Sequence, residues 1–152
     1  MIIYEGPGDL FSCGMQCITC SINTVGAMGK GIALEFKRLV PGLYEYYRQH
    51  YHDKPPLFPS VNKVLVYNVD AERKVLLLPT KDHWVYPSKV ELIDRNLQVL
   101  TETYRELGIE SLGLPLIGCG HNTGQLSWER QVRPLVYQHL DPLPIPVKIL
   151  TG

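Results

Sequence analysis

Apolar positions recur with two different periods along this chain, and the switching between them predicts most of the fold. Ile2–Tyr4 reads as a short strand, and Cys17–Asn23, a compact run of apolar and β-branched residues, as a buried one. Over Gly31–Val40 the period becomes helical: Ile32, Ala33, Phe36, Leu39 and Val40 share one face, and Glu35, Lys37 and Arg38 share the other. Pro41-Gly42 stops that helix, and the tyrosine-rich run Leu43–Tyr51 supplies a second short one. Lys63–Val69 and Lys74–Leu78 are apolar runs joined by Asp-Ala-Glu-Arg, the pattern of a hairpin.

The most regular helical pattern follows. Val90, Ile93, Leu97, Leu100, Tyr104 and Leu107 recur at steps of three and four, preceded by Ser88-Lys-Val-Glu91, which fits a capping box, and closed by Gly108. Ser111–Leu116 reads as a strand, a helix is expected to begin near Ser127 with a kink at Pro134, and Val147–Leu150 reads as the last strand. Strands alternating with helices predict an α/β class, a mixed sheet with helices on both faces, as one domain over residues 1–152.

Composition narrows the function classes. Fifteen basic residues balance fifteen acidic ones, so no broad basic face for gripping a nucleic-acid backbone or an acidic membrane is indicated. A small anion held by backbone amides is not excluded. No stretch has the length and apolarity of a membrane span. The opening "MIIYEGPGDL" lacks the basic and apolar regions of a secretory signal, so a cytoplasmic protein with reduced thiols is expected. The sequence carries no heptad seam or long apolar surface stripe, and a monomer is expected.

In α/β sheets ligands sit beyond the carboxyl ends of strands. Three loops there hold the chemistry: Thr24–Gly31, Pro79–Pro87 and Gly118–Gln125. "NTVGAMGKG" has Thr24 where a Walker A loop needs glycine and Gly31 where it needs Ser or Thr, and its spacing also fails the dinucleotide fingerprint. General physics reads it as a cradle for a phosphate or diphosphate, since glycines admit close approach and the helix it opens favours an anion; a plain tight turn is the alternative. "LPLIGCGHNTG" is a second glycine loop after a strand, and two at one sheet edge could hold a diphosphate from both sides. Lys81, Asp82 and His83 follow an apolar strand; a lysine there is a nucleophile if desolvated, a phosphate partner, or a solvated residue paired with Asp82. Trp84 and Tyr86 are candidates for stacking on a base or, standing beside a helix start, for the core or a lid, and Trp128 is a candidate for the core.

Cys13, Cys17 and Cys20 have the spacing of an iron–sulfur cradle, but Cys17 and Cys20 lie in a predicted buried strand at an odd separation. That puts them on opposite faces, where they cannot converge on a cluster. Cys119, the remaining thiol, lies in a glycine loop and gives no zinc pattern.

Together "GDLF" (Gly8–Phe11), "NTVGAMGKGIALEFK" (Asn23–Lys37), "PTKDHW" (Pro79–Trp84) and "LPLIGCG…LSWE" (Leu114–Glu129) resemble the macrodomain family. More narrowly they resemble the branch holding the DarG antitoxin macrodomain and the terminal ADP-ribose glycohydrolase of animals. The resemblance implies a three-layer α/β/α domain with a central mixed sheet that binds ADP-ribose. It implies that the Asp9 carboxylate accepts from the adenine amino group, that Gly26, Met28, Gly29 and Gly31 cradle the diphosphate and distal ribose together with Gly118, Cys119 and Gly120, and that Leu10 and Ile32 are among the binding residues. Thr80, His121 and Asn122 complete the implied binding set. Asn23 would touch the distal ribose, and Lys81 would act at the anomeric carbon, as nucleophile or as stabiliser of the leaving group, with no metal or cofactor. The implied reaction removes ADP-ribose from a modified target: a base of single-stranded DNA first, an acidic protein side chain second. A cognate ADP-ribosyltransferase toxin is an implied partner. His121-Asn122 stands where the animal hydrolase has an acidic residue, so His121 is either the candidate base in this chain or a solvated loop histidine. A non-catalytic ADP-ribose reader and an ADP-ribose 1″-phosphatase are the alternative functions.

Overall fold

The computed structural model describes residues 1–23, 28, 31–51, 63–81, 88–119 and 126–152. Six strands, β1 (Ile2–Gly6), β2 (Cys17–Asn23), β3 (Leu65–Asn68), β4 (Lys74–Lys81), β5 (Leu112–Leu114) and β6 (Val147–Leu150), form one sheet in the order β1-β6-β5-β2-β4-β3. Every pairing is parallel except β3 with β4, the hairpin read from the sequence. Its turn is held by Asp70, whose carboxylate accepts from the amides of Glu72 and Arg73.

Helices cover both faces. α1 (Gly31–Leu39) and α2 (Leu43–His50) close one core around Cys20, Ile22, Phe36, Leu43, Tyr47, Val75 and Leu77. α3 (Val90–Thr103) and α4 (Arg133–Leu140) close the other around Cys17, Leu76, Leu78, Ile93, Leu97, Val132 and Val136. The strict alternation of β2 and β4 between these cores is the period-two rule at work, and it separates Cys17 from Cys20 across the sheet. Residues 75–80 of β4 are all buried, as befits a central strand covered on both sides. The result is the expected three-layer α/β/α arrangement.

Four local expectations change. Leu39, at the rim of α1, is 61% exposed instead of joining the apolar face, because it is the last residue of the helix and Val40 takes the inward position. The capping box is not formed: Lys89 occupies the N-cap position without a side-chain cap, and its amide donates to the Thr80 carbonyl at 2.8 Å. The strand predicted over Ser111–Leu116 ends at Leu114, ahead of Pro115, which has no N–H for a ladder. Pro134 does not kink an α-helix; a π-helical turn, Trp128–Val132, precedes α4, and the proline falls in the first turn of α4 where no donor is needed. Ser127 caps that turn, accepting from the Arg130 amide.

Candidate functional site

The five parallel strands all end on the same edge of the sheet, so the carboxyl ends of β1, β2, β4 and β5 share one side of the molecule. After β1, Asp9 opens a 3-10 turn over Leu10–Ser12; its Oδ1 accepts from the Phe11 amide at 3.0 Å, while Leu10 is buried and Phe11 packs on Phe36 of α1 with ring centroids 4.7 Å apart. The Asp9 turn and α1 are thereby placed as one unit. Asp9 itself is exposed.

The junction of β2 and β4 carries the tightest geometry. Their register runs Ile22 against Pro79 and then Asn23 against Lys81, so Thr80 is an extra residue on β4. Such bulges re-aim side chains at strand ends. Here the bulge sets Asn23 opposite Lys81, one residue out of simple register. α3 holds it: the Lys89 amide donates to the Thr80 carbonyl, and the fully buried Asn96 donates through Nδ2 to the Pro79 carbonyl at 3.2 Å. Thr80 is buried and Lys81 half-buried. Asn23 is 6% exposed; the Tyr47 hydroxyl of α2 donates to its main-chain oxygen at 2.7 Å and its Oδ1 at 2.8 Å.

The two glycine loops are partly described. Met28 is buried in the α1–α2 core, Ile32 is half-buried against it, and Gly31 opens α1 in the left-handed region with φ +59°. Gly118 has φ +73°, and the Leu126 amide donates to its carbonyl at 3.3 Å, closing the base of the second loop. Cys119 is half-buried, its thiol donates to the Ile117 carbonyl, and burial pushes its pKa up to about 11, so it is a neutral thiol at physiological pH. Gly26, Gly29, Gly120, His121 and Asn122 lie outside the described residues, as do Asp82, His83, Trp84 and Tyr86.

Three residues that sequence reasoning passed over support this edge. Tyr47 shares an i, i+4 stripe with Leu43 and Tyr51, which reads as core packing alone. Asn96 stands on the apolar face of α3 three residues after Ile93, and a lone amide in such a stripe was the available signal. Glu5 had none, because its partners lie far along the chain. Its carboxylate accepts from Trp128 Nε1 at 3.2 Å, Arg133 Nε at 3.0 Å and the Tyr137 hydroxyl at 2.5 Å. The Arg133 bond foremost, aided by the tyrosine and indole donors, lowers the Glu5 pKa from its ordinary 4.5 to about 2. Trp128 is thus core, as expected, with its polar edge spent on tying β1 to the segment after the second glycine loop. No helix among the described residues is long and apolar enough to cross a membrane.

Comparison with known proteins agrees with this geometry. The chain is 35% identical to a DNA ADP-ribosyl transferase–DNA ADP-ribosyl glycohydrolase fusion protein of Thermosipho africanus, over 93% of this chain and 40% of that protein. It therefore spans less than half the length of that curated relative. Among solved structures, the macrodomain of Thermus aquaticus DarG superposes with a TM-score of 0.86 at 29% identity, covering 100% of this chain and 99% of that one. Thermosipho africanus DarTG in complex with ADP-ribose superposes with a TM-score of 0.82 at 35% identity, covering 95% of this chain and 40% of that one. The carboxyl ends of the parallel strands lie on one edge, the family model described as Macro domain matches residues 20–133, from the heart of β2 to the start of α4, and the chain belongs to the macro domain family.

Proposed function

We propose that this domain is an ADP-ribosyl glycohydrolase that removes ADP-ribose from a base of single-stranded DNA, with Lys81 acting at the anomeric carbon. The observation that carries the reading is the β-bulge at Thr80, which sets a half-buried lysine and a buried asparagine side by side at the carboxyl ends of adjacent strands. A domain that only held ADP-ribose would need the cradle but no cation beside the reacting carbon. Removing that cation from water raises its nucleophilicity once deprotonated, and strengthens its field on a departing base while protonated. The name of the Thermosipho relative supports the same activity: a DNA ADP-ribosyl glycohydrolase fused to a DNA ADP-ribosyl transferase. Such a transferase is the partner in function that we propose for this chain.

In the proposed complex the Asp9 carboxylate accepts from the adenine amino group through the oxygen not engaged by Phe11. The N-terminal turn of α1, opened by Gly31, and the backbone around Gly118–Gly120 hold the diphosphate. Asn23 meets the distal ribose. Hydrolysis breaks the bond from the anomeric carbon to the base nitrogen. Oxygen from water ends on that carbon and a proton on the base. The reaction as proposed uses no metal, so a chelator is expected to leave the rate unchanged.

The test is to incubate wild type and Lys81→Ala with single-stranded DNA bearing ADP-ribose on thymine or guanine and to measure released ADP-ribose. Wild type alone is expected to release it, with the variant at least about 100-fold slower and its ADP-ribose affinity within about tenfold. Equal rates would remove Lys81 from the chemistry. No release by either, with ADP-ribose still binding in calorimetry, would make the domain a reader, or direct the search to glutamate-linked ADP-ribose.

A further inference from the structure

We propose that Tyr47 is a positioning residue for this reaction, holding the Asn23 carboxamide so that its Nδ2 donor, and not its oxygen, is presented to the distal ribose. The inference rests on the functional reading above and extends it to a residue outside the ligand's reach. The two ends of a carboxamide have nearly the same shape and opposite hydrogen-bonding character. A half-turn about the Cβ–Cγ bond would swap a donor for an acceptor without any steric signal. The orientation of the amide therefore depends on which groups bond its oxygen.

Tyr47 bonds that oxygen from behind. Its single hydroxyl proton lies between two oxygens of the same residue, the Asn23 main-chain carbonyl at 2.7 Å and Oδ1 at 2.8 Å. The side chain is thus tied to its own backbone through the phenol. With Oδ1 engaged by the phenol, the other branch of the planar amide is the donor. Tyr47 is fully buried in the middle of α2, and its ring packs on Tyr51 at 5.8 Å between centroids. Tyr51 in turn donates to the Lys63 carbonyl at 2.6 Å. In the low-dielectric surrounding of a buried phenol each of these bonds is stronger than it would be at the surface. The bulge at Thr80 then puts the oriented amide directly across from Lys81.

The test is a double-mutant cycle with Tyr47→Phe and Asn23→Ala, read as kcat and KM on ADP-ribosylated single-stranded DNA and as the Kd of free ADP-ribose. Tyr47→Phe is expected to lower kcat by about tenfold to 100-fold, the range for a misaligned reacting group. In the Asn23→Ala background the same change is expected to cost less than about twofold, because the group it positions is gone. A loss of equal size in both backgrounds, as a purely structural role would give, overturns the proposal, and so does an unchanged kcat in Tyr47→Phe. If Tyr47→Phe fails to fold, Asn23→Asp decides: its carboxylate still accepts from Tyr47 but offers no donor, so turnover should fall as far as in Asn23→Ala, and wild-type turnover overturns the idea. If the wild type itself releases nothing, the functional reading is what fails. The cycle is then read in the Kd for ADP-ribose, where additivity overturns the positioning role separately.

Discussion

Gly31 and Gly118 both have positive φ and both stand in a Gly-x-Gly run, yet the fold uses them for different reasons. Each follows a strand, precedes a helical turn, and sits at positive φ, +59° and +73°. A Cβ built on Gly31 meets no described atom within 4 Å. One built on Gly118 comes within 2.7 Å of Ile93 Cδ1 and 3.4 Å of Ser88 Cβ. Gly118 is therefore a packing glycine, set against Ile93 near the start of α3, and Gly31 a conformational one, required by its positive φ and not by a described neighbour. The first loop is anchored to the core by Met28, 2% exposed; the second is anchored by the glycine itself and, beyond it, by Trp128 bonded to Glu5. A glycine motif does not say whether its space belongs to a ligand or to the protein's own core.

Substitutions can break this comparison or sharpen it. The largest effect is expected for Gly118→Val, where a clash with α3 adds to a left-handed backbone, costing about 3 kcal/mol or more. Thermal melting should fall by roughly 6 °C or more in a chain of this size. A variant that melts like wild type and merely loses ADP-ribose would reassign Gly118 to the ligand. Next comes Met28→Ala, expected to cost about 2–4 kcal/mol through the cavity left in the α1–α2 core. If stability holds while binding falls, the first loop is not anchored there.

The Glu5 anchor is read by pH. Its folded pKa, about 2, lies below its ordinary 4.5, so its contribution to stability is complete above that ordinary value and disappears as pH falls from 4.5 toward 2. Glu5→Gln should flatten the acid limb of the stability curve over that window, and an unaltered limb would mean the clamp on Trp128 carries little. The smallest effect on stability belongs to Gly31→Ala, about 1–2 kcal/mol from the left-handed backbone alone. ADP-ribose affinity, measured by calorimetry, is the readout that should separate it from Gly118→Val: for Gly31→Ala the loss of affinity should exceed what the melting shift accounts for.

Legibility followed the range of the interactions involved. β2 and β6 were read to the residue, and the α3 stripe nearly so, because side-chain period is a local consequence of backbone geometry. The resemblance to the family is carried by four short motifs, each legible in the sequence alone. Where expectations changed, either a contact from elsewhere intervened or a local hydrogen-bond pattern differed. The Ser88 box lost to a bond between Lys89 and a carbonyl of β4. The kink expected at Pro134 became a π turn, whose wider ladder, with the Val132 amide reaching the Ser127 carbonyl at 3.2 Å, sets the proline into the first turn of a new helix.

By itself, then, the sequence determined the alternation of strands and helices, the two-sided burial of the central strands, and the gathering of glycine loops at one kind of strand end. All of these depend on periods and turn chemistry within a few residues. Only the tertiary structure decided that Thr80 bulges out, that Asn23 thereby faces Lys81, and that Tyr47, Asn96 and Glu5 serve the edge instead of filling space. A one-residue change of register reverses which side chains meet, and its energy is set by partners on another element. No local pattern encodes such a choice, so the alignment of the proposed catalytic pair is a property of the folded sheet.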